Sequence, residues 1–567
     1  MKKRATFATG AMLLWHGASV AQDDPGWRLP ELRPATIQWA ACSSSLVRQG
    51  AFRLGERLRC GTMAVPLDHH HPEAGSIDVA LIRVAARDPA KRQGAIFFNP
   101  GGPGETPMDY LPSLAQYWDD AYADHPVHGT KKQLAEQFDL VGVVPRGLAG
   151  GTPFACTSEA EATDYNDIVA DPSPANVQAM ERYMRATAAA CRANPMHRFI
   201  NTEQTAYDME AARRSLGEPR LHYLGYSYGA WLGSWYAAAF PAHVGRMVLD
   251  SGMDWTADWD TNVTRNKEAS QARFDRLVGE PAANHPDRYG LGADVAAVVA
   301  RIDGLTFPVR HAWGGLWKTP ENLLGALTVS DWLRADPDMS LETLIARMLR
   351  HRFHTEDTID TAIRDEAILS SWRLFPATHQ PEPFRFDALD SVFAAVMCND
   401  TPYTGDTAHH QSRIARLVRT LPATNGRGLQ YHCVYWGGAQ AIRPPLSRIG
   451  AAGDILMVHA ALDPVTPLRS ATAVLERTSM THLLIADGID EHGIFGFTDS
   501  ACVEDTVGRY LLTGILPAGR EYRCAATQAA HGGPGHGFTR PGVAGTLRSE
   551  LSGMRNASFA RQLGGRP

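Results

Sequence analysis

An α/β fold is expected: a mostly parallel sheet with helices on both faces and a helical cap inserted late in the chain. Three observations lead to it. Up to about residue 250, short apolar runs alternate with stretches of helical spacing, the pattern of a parallel sheet. One of those runs ends in Gly225-Tyr226-Ser227-Tyr228-Gly229, a tight turn leading from strand to helix. Between about 255 and 450 the strand signal gives way to helical periodicity, after which two apolar runs resume.

In chain order, residues 77–84 (Ile-Asp-Val-Ala-Leu-Ile-Arg-Val) read as a strand. Residues 95–98 (Ala-Ile-Phe-Phe) form a short apolar run that ends in a Gly-rich loop, and residues 138–144 form another run. Residues 203–216 have helical spacing and stop at Gly217. Leu221 to Leu224 is a strand, followed past Gly225 by a helix from about Tyr228 to Phe240 and a strand over 244–250. In the inserted region, Asn266 to Leu277, Val295 to Leu305, Leu341 to Leu349 and Ala388 to Met397 show helical period. The last two strands are 455–460 and 482–486. The expected organisation is a leader over 1–21, a core over 22–254, a helical cap over 255–450, the rest of the core over 451–524, and a Gly- and Arg-rich flexible tail over 525–567.

The 567 residues are 44% hydrophobic and 20% charged, which excludes disorder for most of the chain. A formal net charge of -6 argues against nucleic acid, because neutralising phosphates needs a basic face. Lys2, Lys3 and Arg4, an apolar stretch to about Trp15, and the small residues Ala18 to Ala21 read as an export signal cleaved before Gln22. Its Lys-rich start points to a bacterial source and to a periplasmic or extracellular destination. No apolar run elsewhere is long enough to span a bilayer. In an oxidising compartment the eight cysteines are expected to form disulfides. Pairing by sequence distance gives Cys42–Cys60, Cys156–Cys191, Cys398–Cys433 and Cys502–Cys524.

The Gly-x-Ser-x-Gly turn makes Ser227 the candidate nucleophile. The turn is so tight that its flanking residues must be glycine, and the Tyr228 N–H can donate to an oxyanion at the helix start. Such a serine needs a base and an orienting acid, which in this context follow it in the order acid, then histidine. Asp463 stands on the loop after strand 455–460, and His492 follows strand 482–486. Both project from the sheet edge that carries Ser227. Asp250, at the end of its own strand, is an alternative acid. Asp487 and Asp490 read as loop acids, and His459 reads as a strand residue facing the sheet. The second oxyanion donor is expected from Asn99-Pro100-Gly101-Gly102-Pro103-Gly104, with Gly102 first and Gly101 next.

Several ordered pieces carry a family resemblance: Cys60-Gly61-Thr62 with Val65-Pro66-Leu67-Asp68, the loop 99–104, and Pro145-Arg146-Gly147. They continue with Leu224 to Gly229, Val244 to Asp250, Cys398-Asn399-Asp400, Asp463 to Pro467 and His492-Gly493. Together they span about residues 42 to 524. The set resembles the tripeptidyl aminopeptidase-like (TAP-like) branch of the prolyl aminopeptidase family of α/β hydrolases. The resemblance implies an α/β-hydrolase fold, export, a helical cap before the acid strand, and release of short peptides or residues from a free N-terminus. Some relatives hydrolyse simple esters. Three positions depart from the family pattern: Glu105-Thr106-Pro107 where a small Gly/Ser stretch is usual, Val144 where Asp is usual, and Gly150-Gly151-Thr152 in place of a Gly-x-Ser turn.

The expected chemistry is acyl transfer through Ser227, Asp463 and His492, without metal or organic cofactor, on a peptide or a small ester. A carboxylesterase on the same triad and a non-catalytic binding protein are the competing classes. An aminopeptidase needs an anion for the substrate ammonium, for which Glu105 and Asp400 are the candidates. Other motifs read as bland: His69-His70-His71 as a solvated turn, His531 to Gly535 as tail, Trp255 and Trp259 as packing, and the sequons at Asn262 and Asn556 as incidental.

Overall fold

The structure is a computed structural model describing residues 27–525, apart from 126, 162–164, 315–316, 372–373, 375–382, 386–387, 427 and 499. The leader, the tail from 526 with His531 to Gly535, and Asn556 lie outside the described residues.

Twelve strands are described: β1 (Ile37–Ala40), β2 (Leu58–Pro66), β3 (Ser76–Val84), β4 (Gly94–Asn99), β5 (Phe138–Val143), β6 (Thr157–Glu161), β7 (Leu221–Tyr226), β8 (Val244–Asp250), β9 (Pro383–Arg385), β10 (Ile455–Ala460), β11 (Thr481–Ala486) and β12 (Glu521–Cys524). Ten of them form one sheet in the order β1-β2-β3-β5-β4-β7-β8-β10-β11-β12. β1, β2, β3 and β5 pair antiparallel in succession, and every pair from β5 to β12 is parallel. The central strands β4, β5 and β10 are buried along their whole length, as expected of continuous apolar runs covered on both faces. This is the architecture of an α/β hydrolase.

Helix starts follow local chemistry. The Asn201 side chain accepts the Gln204 N–H to open the helix Thr202–Ser215, and Asp258 accepts the Thr261 N–H to open Trp259–Phe274. Thr106 caps Pro107–Asp119, whose first residue is proline.

Three apolar clusters hold the described residues together. The largest surrounds the sheet. A second packs the helices from Phe274 to Met348 with Ala367 and Ala423, within the inserted region. A third joins Ile168, Met180 and Met184 to Ile414, Leu417 and Tyr431. The excursion between β5 and β7, with helix Pro174–Arg192, therefore packs on the inserted helices, although the sequence places it in the core. The β6–β9 ribbon also joins these two segments, and Cys156–Cys191 closes the excursion. The other disulfides are Cys42–Cys60, Cys398–Cys433 and Cys502–Cys524. No helix among the described residues is long and apolar enough to cross a membrane.

Candidate active site

Ser227 stands between β7 and the helix Tyr228–Ala239, at φ 56°, a left-handed value for a non-glycine residue. Its N–H donates to Asp250 O at 2.9 Å, which fixes the turn against β8. The glycines are steric necessities. A Cβ on Gly225 would lie 2.5 Å from Gly229 O, and one on Gly229 would lie 2.7 Å from Asn99 O.

The Gly-rich loop after β4 lies directly on this turn. A Cβ on Gly101 would stand 2.7 Å from Tyr226 O and 3.0 Å from the Ser227 Cβ. The Gly101 N–H already donates to Asn99 Oδ1 at 3.0 Å. The N–H groups of Gly102 and Tyr228 have no acceptor among the described residues; Tyr228 opens its helix, where such donors are left over. These two amides can receive an oxyanion, and Gly101 holds the loop against the serine.

Asp463 and His492 come together after β10 and β11. His492 Nδ1 donates to Asp463 Oδ2 at 2.9 Å, with Oδ1 at 3.1 Å. Asp463 is held by an Asx turn: Val465 N–H and Thr466 N–H donate to Oδ1 at 2.8 and 2.9 Å, and Thr466 Oγ1 lies 3.1 Å from Oδ2. Burial alone would raise its pKa, but the charge and hydrogen bond of His492, with those of its neighbours, hold it below the usual range. His459 supports the same loop, its Nε2 donating to Thr466 O at 2.6 Å.

The histidine loop is anchored on β7 and β8. Tyr226 Oη donates to Phe495 O at 2.6 Å. Asp250, the alternative acid, accepts from Ile494 N–H at 3.1 Å, Phe495 N–H at 2.8 Å and Ser251 Oγ at 2.9 Å. Its burial outweighs these donors and raises its pKa to about 7. Asp250 thus holds the loop that presents His492. Ser251, which sequence reasoning missed, has φ 51°; its Oγ accepts the Gly493 N–H at 2.7 Å and its carbonyl accepts Thr466 Oγ1 at 2.9 Å. Only Thr466 left a trace in the sequence, as a hydroxyl three residues past an aspartate on a turn. Asp487 and Asp490 lie on the loop after β11, as acids of ion pairs with Arg523 and Arg273.

The two candidate ammonium-binding residues sit differently. Asp400 is buried at the end of helix Ala388–Asp400 and accepts Thr202 N–H at 2.9 Å, Thr202 Oγ1 at 2.6 Å and Trp231 Nε1 at 3.0 Å. Tyr228 Oη in turn donates to Thr202 Oγ1 at 2.7 Å. Asp400 is therefore a packing node under the helix that follows Ser227. Glu105 is also buried, at 2% exposure; Tyr110 Oη donates to its Oε2 at 2.9 Å, and its Oε1 has no partner among the described residues.

The remaining motifs are structural. His69 is buried rather than solvated: its Nε2 donates to Asp208 Oδ1 at 2.8 Å, and Asp208 pairs with Arg146, so Pro145-Arg146-Gly147 anchors a buried ion cluster. His70 pairs with Glu203, and His71 faces solvent beside Glu73. Trp255 and Trp259 are buried, Trp259 against the Tyr228 and Trp231 rings. The Asn262 amide donates to the carbonyls of Asp254 and Asp258 inside the protein. The described group with metal-ligand spacing is Cys398, His432 and Cys433, whose two thiols form a disulfide.

The α/β hydrolase fold family matches residues 94–291, and the TAP-like protein family matches residues 422–524. Tripeptidyl aminopeptidase of Streptomyces lividans is 26% identical over 535 residues, covering 90% of this chain and 91% of its own. Serine protease Hip1 of Mycobacterium tuberculosis is 26% identical over 497 residues, covering 85% and 89%. Carboxylesterase B of the same organism is 28% identical over 499 residues, covering 86% and 89%. Among solved structures, proline iminopeptidase of Mycobacterium smegmatis gives a TM-score of 0.32 at 12% identity, covering 80% of this chain and 97% of its own. With a strained serine turn, a Gly-rich loop packed on it and an Asp–His pair on the adjoining loops, the chain has the α/β-hydrolase fold, carries a TAP-like segment over residues 422–524, and is a serine hydrolase.

Proposed function

We propose that the protein is an exported serine aminopeptidase acting through an acyl-enzyme on Ser227. The observation that carries this reading is the Asp463–His492 pair, fixed on loops tied to the Ser227 turn. His492 takes the Ser227 proton as the oxygen attacks the scissile carbonyl. Asp463 fixes the imidazole with its proton on Nδ1, leaving Nε2 to work as base, and stabilises the imidazolium that forms. The Gly102 and Tyr228 amides receive the oxyanion, each contributing roughly 3–4 kcal/mol by analogy with a protease donor of this kind. His492 then protonates the leaving amine, and water repeats the cycle to free the acid. No step uses a metal or an organic cofactor.

The peptidase reading draws on the relatives named as tripeptidyl aminopeptidase and serine protease. The buried Glu105 carboxylate adds a group suited to a substrate ammonium. Four disulfides favour an oxidising compartment, in keeping with the export signal read at residues 1–21. Ester hydrolysis is the second reading, favoured by the carboxylesterase relative, since the same triad serves both reactions. Turnover of free-amine peptide arylamides against p-nitrophenyl esters separates the two. Ser227→Ala is expected to abolish both activities and fluorophosphonate labelling. Labelling that survives in the variant rejects Ser227 as the nucleophile, and ester turnover alone rejects the aminopeptidase reading.

A further inference from the structure

Asn99 closes β4 at the point where the Gly-rich loop meets the serine turn. It stands opposite Gly225 in the β4–β7 pairing. A Cβ on Gly229 would lie 2.7 Å from its carbonyl oxygen and 3.0 Å from its Oδ1. Asn99 therefore lies directly against the start of the helix that follows Ser227. On its other side, Oδ1 accepts the Gly101 N–H at 3.0 Å, across Pro100, which has no N–H of its own. One buried side chain, at 2% exposure, thus touches both structures that supply an oxyanion donor.

The loop depends on that bond. Gly101, Gly102 and Gly104 have φ of 114°, 107° and 100°, and none carries a side chain by which it could be held. Among the described residues, no other hydrogen bond reaches residues 100–104. Steric contact keeps Gly101 close to Tyr226 O and Ser227 Cβ, but contact alone does not settle where an amide points. The bond to Oδ1 does settle it. The bond also takes the Gly101 N–H out of use, which leaves Gly102 as the loop's donor. An N–H requires an oxygen, so Oδ1 rather than Nδ2 faces Gly101. Nδ2 is then buried with no partner among the described residues. A buried donor left open is costly, so the side chain is placed for its oxygen.

We propose that Asn99 is a positioning residue for acyl transfer. Its Oδ1 holds the Gly101 peptide, and through that peptide it sets the Gly102 N–H at the spacing from the Tyr228 N–H that a tetrahedral oxyanion needs. This rests on the acyl-enzyme reading and deepens it. That reading names the two donors, and Asn99 accounts for what keeps the loop donor in place. The oxyanion forms only as the carbonyl is attacked, so the effect of Asn99 falls on kcat and spares KM.

The test compares full-length wild type, Asn99→Ala and Asn99→Ser on a p-nitrophenyl ester and a free-amine peptide arylamide. Each kcat is expressed per serine labelled at the end point by a fluorophosphonate, so misfolded molecules do not count. Asn99→Ala is expected to lower kcat about 100-fold, the loss typical of one oxyanion donor, with KM changed less than about threefold. Serine is close to alanine in size but offers a hydroxyl that accepts an N–H two residues on. Asn99→Ser should therefore recover about tenfold of that loss. The acid limb of kcat/KM reports the base and should keep its midpoint in both variants. If Asn99→Ala yields no labelled enzyme, Asn99→Ser against wild type carries the same split between kcat and KM. Near-wild-type kcat in Asn99→Ala overturns the proposal, as does an effect confined to KM. A loss that Asn99→Ser shares in full overturns it too, by assigning the effect to packing. A shifted acid limb overturns it by placing the effect on His492. Labelling and turnover that survive in Ser227→Ala overturn the acyl-enzyme reading itself, whatever the Asn99 variants do.

Discussion

Ser251 joins two loops through one residue. Its hydroxyl holds the Gly493 amide next to His492, and its carbonyl holds Thr466 below Asp463. Removing that hydroxyl takes away the hydrogen bond it gives the buried Gly493 N–H, at a cost of about 1–3 kcal/mol. The change falls on the residue that follows the base, so alignment suffers more than binding. Ser251→Ala is therefore expected to lower kcat about tenfold or more with little change in KM, as steady-state kinetics on an arylamide would show. A KM effect alone would mean that the loop keeps its place without this contact. Asp463→Asn removes the acceptor for Nδ1–H and lets the wrong tautomer form, so kcat should fall by about four orders of magnitude. Retention of a substantial share of the activity by Asp463→Asn would return the acid's role to Asp250. These residues differ in how readable they are. Ser227, Asp463 and His492 announce themselves by standing at strand ends beside glycine or turn residues. Ser251 has no local signature, because its function arises from what two distant loops present to it.

The helix Trp259–Phe274 shows the same limit for an element. Asn266 Nδ2 donates to Val465 O at 2.6 Å, Ser270 Oγ to Pro464 O at 3.2 Å, and Arg273 Nη2 to Asp490 Oδ2 at 2.9 Å. One face of this helix therefore grips both the acid loop and the histidine loop. The periodicity predicts a helix over 266–277, and a helix is there, opening earlier at its Asp258 cap and passing into a π-helical turn, Asp275–Gly279. What periodicity cannot convey is the grip, whose partners lie 194 to 217 residues away in sequence. Asn266→Ala and Arg273→Ala are each expected to reduce kcat a few-fold. Together they should depart from additivity, since both act on the same pair of loops; a double-mutant cycle on kcat measures the coupling. Strict additivity would mean that the loops are held independently. Elements that the sequence did not reveal have local reasons for silence. Helix Pro107–Asp119 carries prolines at 107 and 112, and the edge strand β12 is Glu-Tyr-Arg-Cys, too polar to read as a strand.

At the scale of the molecule, the four disulfides close short loops with sequence separations of 18 to 35 residues, which is why pairing by distance along the chain was informative. The extent of the cap was less readable, because the third apolar cluster brings Ile168 and Met184 against Ile414 and Tyr431 across a long gap. Protonation acts over the whole fold as well. Burial pushes His432 down to about 4, and burial with the charges of Arg246 and Arg220 does the same to His222, whose Nδ1 also accepts the Arg246 N–H. An unfolded histidine titrates near 6.5. Between about pH 6.5 and 4 the unfolded chain therefore binds protons that the folded chain does not, and these two rings withdraw stability as pH falls. Asp250 near 7 and Asp400 near 6, both raised by burial, have the opposite sign: their stabilising contribution is complete below the unfolded aspartate range and is lost as pH rises through the folded values. The two effects overlap in mild acid, so a wild-type melting curve alone does not separate them. His432→Phe does: it removes one titrating ring and keeps an aromatic group against Trp436. Whatever its melting temperature at pH 7.5, the variant should lose less on transfer to pH 5 than the wild type loses. Thermal unfolding of both proteins across that range tests this, and parallel losses would show that His432 is protonated equally in the folded and unfolded states.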